Sequence, residues 1–284
     1  MDDRAIGVFD SGLGGLTVLK AIRGLLPDEG LVYFGDCGRA PYGVKSKETI
    51  INYTYQNVRF LMSKEIKLLV IACNTASAYG YGPVKQKLDI PVIEVITPGA
   101  LAGRAATRNG RIGVIGTNAT INSGAYVKAI KGLDPGIEVF SKACPLFVPL
   151  AEEGQFWWDS EVTVSVAKIY LGELVDEGID TLVLGCTHYP LLRGAIQGVM
   201  GERVALVNSA DEAAKSVKRA LGEFGLEAAP GHFAGRGCNP RQGQAKKLRL
   251  YTSDSAERFK PLCSSILKCG FEDLLVSKVN IDEY

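Results

Sequence analysis

Asp180-Thr181-Leu182-Val183-Leu184-Gly185-Cys186-Thr187-His188-Tyr189-Pro190-Leu191-Leu192 is the stretch from which the fold is read. Leu182, Val183 and Leu184 form an apolar run without polar alternation, as in a strand buried on both faces of a parallel sheet. The run stops at Gly185, and Cys186, Thr187 and His188 follow at once. Tyr189-Pro190 ends the extended segment, and Pro190 suits the first turn of a helix entered through Leu191-Leu192. A thiol and an imidazole therefore stand where a strand gives way to a helix, the place at which open α/β sheets bind ligands. Such a thiol has two reasons to ionise, helix-end amides and a neighbouring imidazole. The chain has 2 histidines in all, and His188 is the one beside this cysteine.

The same grammar occurs earlier. Lys67-Leu68-Leu69-Val70-Ile71-Ala72-Cys73-Asn74-Thr75-Ala76-Ser77 again passes from an apolar run through a small residue to a cysteine and then to small polar residues. Ile6-Gly7-Val8-Phe9-Asp10-Ser11-Gly12 likewise echoes Ile112-Gly113-Val114-Ile115-Gly116-Thr117-Asn118. Each half thus has a strand ending in Asp-Ser or Gly-Thr and a later strand ending in cysteine. The pattern predicts an α/β protein of two similar open parallel-sheet domains, related by a pseudo-two-fold, with a shared cleft that receives one thiol from each.

The chain has 284 residues, of which 46% are hydrophobic and 22% charged, ordinary values for a globular protein. Its formal net charge is +1, so no global field recruits nucleic acid or an anionic membrane. The apolar runs are strand-sized rather than membrane-spanning, and because Met1-Asp2-Asp3-Arg4 leads straight into a predicted strand, no signal peptide is expected. Seven scattered cysteines fit reduced thiols in a cytoplasm better than a disulfide framework. With no Cys-x-x-Cys pair and only His188 and His232 to add imidazole, no metal is expected.

Along the chain, strands are predicted at 5–9, 31–34, 90–95, 111–115, 137–140, 204–207, 248–252 and 274–279, besides the two cysteine strands. Helices are predicted up to Leu26 and over 46–64, 122–131, 160–177, 208–224 and 254–268. Gly12-Leu13-Gly14 opens a tight turn, but Thr17 stands where a dinucleotide fingerprint needs its third glycine, and no Gly-Lys-Ser/Thr follows for a P-loop. Asp10 reads equally as a helix cap or a site group. The loop Asp36–Gly43 is dense in turn formers, and Tyr42 in it is either an exposed pocket-lining ring or a packed one. Thr97-Pro98-Gly99-Ala100 reads as a joint, which divides the chain into 1–97 plus 208–284, carrying Cys73, and 98–207, carrying Cys186. Cys144–Gly154 reads as an irregular apolar segment whose Glu152-Glu153 marks a solvated end, unless one carboxylate turns into the cleft. Trp157-Trp158 reads as a loop, half-buried. Residues 228–247, Gly/Pro-rich and basic, read as a surface loop in which His232 and Cys238 are incidental.

Two cysteines at two strand ends suit three chemistries. A disulfide oxidoreductase is one, though it would place its thiols close in sequence. A hydrolase with one nucleophilic cysteine, His188 and an acid is another, and leaves the second thiol idle. The third sets two thiols as acid and base on opposite faces of a carbon, inverting its configuration, and requires thiols easier to ionise than a free cysteine.

The motifs Asp10-Ser11-Gly12-Leu13-Gly14-Gly15, Pro41-Tyr42-Gly43, Ala72–Ser77 and Gly185–Leu192 together resemble the glutamate racemases of the aspartate/glutamate racemase superfamily. Ile115-Gly116-Thr117 with Thr120, Pro149-Leu150-Ala151-Glu152 and Thr252-Ser253-Asp254-Ser255 extend the resemblance nearly end to end. It implies cofactor-independent interconversion of L- and D-glutamate in the cytoplasm, with D-glutamate passing to peptidoglycan. Cys73 and Cys186 would be the acid/base thiols, with Asp10 assisting Cys73, His188 assisting Cys186, and Glu152 a further assisting carboxylate. Asp10, Ser11, Pro41, Tyr42, Gly43, Asn74, Thr75, Thr117, Thr120, Thr187 and His188 would hold substrate. A homodimer is the expected assembly, without membrane or nucleic-acid partners. Cys37-Gly38 stands where the family more often has Thr-Ala. Racemisation of aspartate, a one-thiol amidohydrolase and a non-catalytic glutamate-binding protein are the alternatives.

Overall fold

The computed structural model describes residues 1–229, 248–270 and 274–284; the basic stretch with His232 and Cys238 lies outside them, apart from its first two residues. In chain order the elements are β1 (Ile6–Asp10), α1 (Leu16–Leu25), β2 (Leu31–Gly35), α2 (Lys47–Met62), β3 (Leu68–Ile71), α3 (Asn74–Lys85), β4 (Val92–Glu94) and α4 (Ile96–Ala106). They continue with β5 (Arg111–Gly116), α5 (Asn118–Asn122), α6 (Ala125–Leu133), β6 (Glu138–Ala143), α7 (Phe147–Glu152), α8 (Gln155–Trp158), α9 (Glu161–Asp176), β7 (Thr181–Gly185), α10 (Arg193–Met200) and β8 (Ala205–Asn208). The chain ends with α11 (Ser209–Phe224), β9 (Leu248–Thr252), α12 (Ala256–Leu267) and β10 (Val276–Lys278).

The strands form two parallel sheets, ordered β10-β9-β2-β1-β3-β4 and β6-β5-β7-β8. The run β2-β1-β3-β4 repeats as β6-β5-β7-β8, so the echo between the halves is an echo of topology. In each sheet the opening strand (β1 or β5) is followed by a neighbour on one side and then by the cysteine strand (β3 or β7) on the other. The order reverses at that point, and the gap at the carboxyl ends is where such sheets take ligands. The C-terminal segment returns to the first sheet, adding β9 beside β2 and β10 outside it.

Side-chain alternation explains why the first sheet is covered on both faces. Ile6, Val8, Leu31, Tyr33, Leu68 and Val70 pack into a core with α1, α11 and α12, whereas Phe9, Val32, Phe34, Leu69 and Ile71 pack into one with α2 and α3. β1, β2, β3 and β7 are buried along their whole length, while β6 is partly exposed at its sheet's edge.

The structure corrects five local expectations. Thr97–Ala100, read as a joint, is helical: it lies in the first turns of α4, where Pro98 is tolerated, and the Glu94 carboxylate accepts from the Ile96 and Thr97 amides. The helix expected at 122–131 starts later, as α6, and is preceded by the short α5, the two separated by Gly124 in the left-handed region at φ 64°. The segment before Gly154 is not irregular but forms α7, with Pro149 in its first turn, and Trp157 and Trp158 belong to α8 rather than to a loop. Thiols are not reduced throughout: Cys37, Cys73, Cys144, Cys186 and Cys263 are free, but Cys269 is disulfide-bonded. No helix among the described residues is long and apolar enough to cross a membrane.

Candidate active site

The two cysteine strands end at the same pocket. Ser11, Ala40, Pro41, Tyr42, Gly43, Cys73, Asn74 and Thr75 line it from the first sheet's side, and Thr117, Val148, Glu152, Cys186, Thr187 and His188 from the second's. About 350 Å³ of space, part of it open to solvent, lies between these residues. Close approach of the halves depends on two glycines. A Cβ at Gly14 would lie 2.3 Å from Thr187 Oγ1, and one at Gly43 would lie 2.5 Å from Thr117 Cβ.

Cys73 follows β3 and caps α3. Its thiol donates to Ser11 Oγ (3.5 Å), and its sulfur accepts from the Ala76 amide (3.5 Å). Burial, with the Asp10 carboxylate nearby, pushes the Cys73 thiol up to about 12. Without ligand it is therefore a protonated group, harder to ionise than a free cysteine and not easier as expected from the two-thiol chemistry, with a helix N-terminus ready to receive a thiolate.

Cys186 follows β7 and has ionic company. Its Sγ lies 3.6 Å from His188 Nδ1, and His188 Nε2 donates to Glu152 Oε1 at 2.9 Å. Burial alone would lower the His188 pKa, but the hydrogen bonds to Cys186 and Glu152 outweigh it and hold the ring well above its ordinary value. Burial likewise opposes ionisation of Glu152, yet the contact with His188 leaves its carboxyl below the usual value. One carboxylate of the Glu152-Glu153 pair thus turns into the cleft and the other, Glu153, is exposed.

Asp10 lies one layer behind the pocket, fully buried. Oδ1 accepts from the Gly12 amide (2.9 Å), and Oδ2 accepts from the Thr187 hydroxyl on the other half (3.1 Å). Burial raises its pKa against the opposing pull of His188. It serves as local turn cap and cross-half bond together, and acts on Cys73 through its charge. Thr120 also sits behind the lining, where the hydroxyls of Thr75, Thr117 and Thr120 stand 2.9–3.1 Å apart in a mutual cluster. Tyr42 is packed rather than exposed, at 1% accessibility, yet borders the pocket. Val148 and Ala40 are lining residues that sequence reasoning did not single out; Val148 arrives on α7.

Asn74 carries the clearest sign of a missing partner. Its Oδ1 accepts from Tyr126 of the opposite half (2.7 Å), whereas its Nδ2, buried in the pocket wall, makes no hydrogen bond among the described residues. Leaving such a donor unpaired costs roughly 1–3 kcal/mol, which an acceptor in the pocket would offset. The described lining has hydroxyl, amide and backbone donors but neither lysine nor arginine. Among the described residues no group of three or more His, Cys, Asp or Glu side chains could hold a metal ion.

A family described as Asp/Glu/Hydantoin racemase matches residues 17–217. A glutamate racemase of Geobacter metallireducens is 56% identical over 218 residues, covering 77% of this chain and 80% of that protein. One from Streptococcus gordonii is 46% identical over 259 residues, covering 91% and 93%. Among solved structures, Francisella tularensis glutamate racemase in complex with D-glutamate superposes with a TM-score of 0.88 at 37% identity, covering 100% of both chains.

Proposed function

The chain belongs to the Asp/Glu/Hydantoin racemase family, and from that premise we propose that it interconverts L- and D-glutamate by moving the α-proton between two thiols. The observation that carries this reading is the pair of free cysteines, one from each half, lining one small pocket with different partners. Inversion needs a base on one face of the α-carbon and an acid on the other. Cys73, protonated at rest, supplies the acid. Cys186, with the His188 imidazolium beside it, supplies the base.

In the forward step the Cys186 sulfur takes the α-proton, leaving the electron pair on the α-carbon and its carboxylate. The Cys73 thiol then delivers its proton to the opposite face, and its sulfur is left as a thiolate on the Ala76 amide. The reverse direction exchanges the roles. Asn74 Nδ2 and the hydroxyls of Ser11, Thr75, Thr117 and Thr187 are donors for the substrate's two carboxylates, as is the backbone at Tyr42-Gly43. Thr120 and Asp10 steady these groups from behind. Cys73, Cys186 and His188 are all buried, and a buried site strengthens every charge interaction in it.

On this reading the two sheets belong to two domains, 1–97 with 208–284 and 98–207. The protein works as a homodimer in the cytoplasm, and its D-glutamate goes to peptidoglycan. The line Cys186–His188–Glu152 also has the order of a cysteine-histidine-acid hydrolase, and Cys73 separates the two readings. Metal-stripped protein without added cofactor is incubated with L-glutamate, L-aspartate or L-glutamine. Optical inversion of glutamate, faster than that of aspartate, supports the racemase. Ammonia release from glutamine that survives Cys73→Ala would overturn it in favour of the hydrolase.

A further inference from the structure

Thr252-Ser253-Asp254-Ser255 lies far from the cysteines in sequence, and Ser253 is absent from the pocket lining. The fold nevertheless brings it to the site's support. β9 pairs with β2 so that Thr252 stands opposite Gly35, and the chain segments leaving the two strands run side by side. The Ser253 amide donates to Gly35 O (3.2 Å), Ser253 Oγ accepts from the Gly38 amide (2.9 Å), and the same hydroxyl donates to Asp36 Oδ1 (2.7 Å).

Asp36 is fully buried, and its other oxygen is the centre of a second set of bonds. Oδ2 accepts from Arg39 Nε (2.8 Å), lies 2.7 Å from Arg39 Nη2, and accepts from the Tyr42 hydroxyl. Tyr42 also accepts from Asn57 Nδ2 (2.9 Å). Arg39 is held in turn by Gln56 and Asn57 and lies over the Tyr53 ring, 4.1 Å from its centroid. Tyr42 borders the pocket, and Gly43 presses on Thr117 of the other half. One carboxylate therefore ties the C-terminal return to the loop that forms a pocket wall.

We propose that Ser253 is a positioning residue for the racemase site, acting through Asp36 to fix the Tyr42-Gly43 wall, with Arg39 as the second clamp on the same carboxylate. The proposal rests on the glutamate reading above for its kinetic consequence. Both enantiomers meet the same wall before and after proton transfer, so a loosened wall weakens binding without changing the acid and base. Ser253→Ala should raise KM for L- and D-glutamate together, by about 5- to 20-fold, with kcat within about twofold of wild type. Ser253→Thr keeps the hydroxyl and should restore KM to within about threefold of wild type. Arg39→Lys keeps the charge but loses the planar fork and should give an intermediate KM.

A second measurement does not depend on the substrate. In the ligand-free protein, amide hydrogen exchange over residues 36–45 should quicken about tenfold in Ser253→Ala, while α9 and β7 keep wild-type rates. Unchanged exchange over 36–45 would overturn the proposal. So would a KM within twofold of wild type, or a lower melting temperature with exchange quickened uniformly across the molecule. If wild-type protein failed to invert glutamate, the functional reading would fall, and the exchange experiment would still decide the role of Ser253.

Discussion

The Cys73 corner and the Cys186 corner are built from one plan and tuned by different means. Both sulfurs follow the cysteine strand of a repeated β2-β1-β3-β4 or β6-β5-β7-β8 order, at the reversal point of a parallel sheet. Around Cys73 the hydrogen-bonding partners are neutral, a serine hydroxyl and a helix amide, and the thiol is held protonated. Around Cys186 stands an imidazole whose charged form is supported by Glu152. A duplicated backbone thus supplies symmetric positions, and on the proposed mechanism their non-equivalent neighbours let one sulfur act as acid while the other acts as base. Equal environments would leave the two sulfurs competing for one proton state.

The comparison breaks most visibly if either sulfur is removed. Cys73→Ala and Cys186→Ala should each lower kcat/KM by about 10³-fold or more in both directions, read by circular dichroism of glutamate. A variant retaining a tenth of wild-type activity would mean that one thiol suffices.

Removing one neighbour from each side sharpens the comparison. His188→Asn and Asp10→Asn should each lower kcat by about 10²-fold in the more affected direction, and the more affected direction should differ between the two. Enantiomers have an equilibrium constant of one, so kcat/KM must stay equal in the two directions; the asymmetry appears in kcat and KM taken separately. Equal losses of kcat in both directions would make these residues binding groups instead.

The smallest effect concerns pH. Glu152 helps hold the His188 pKa up, and a group whose pKa is raised loses its charged form as pH climbs through that raised value. Glu152→Gln should therefore move the alkaline fall of kcat to lower pH and reduce kcat at neutral pH by about tenfold. An unmoved alkaline limb would show that the imidazolium is not the form that works.

The division of these roles was only partly legible in the sequence. Both cysteine strands are apolar runs that stop at a small residue, a local signal that survives folding, so their place at strand ends could be read directly. The return of 248–279 to the first sheet was also foreseeable from its strand patterns. Contacts between distant residues were not. Asp10 bonds Thr187 across the cleft and Ser253 reaches Asp36, and no periodicity encodes either meeting. Prolines misled the reading in two places: Pro98 and Pro149 look like breakers, but each lies in a helix's first turn, where its missing amide hydrogen costs nothing. That misreading hid α7, and with it the element that delivers Val148 and Glu152 to the pocket.

The most direct test of two thiols with separate proton inventories is early-time racemisation of L-glutamate in D2O, with deuterium at Cα followed in both enantiomers. The account predicts that D-glutamate forms carrying deuterium, because its proton comes from the opposite, solvent-equilibrated thiol, while the remaining L-glutamate stays unlabelled. Deuterium entering the recovered L-glutamate as fast as it enters the product would mean that one base serves both faces, and would contradict it.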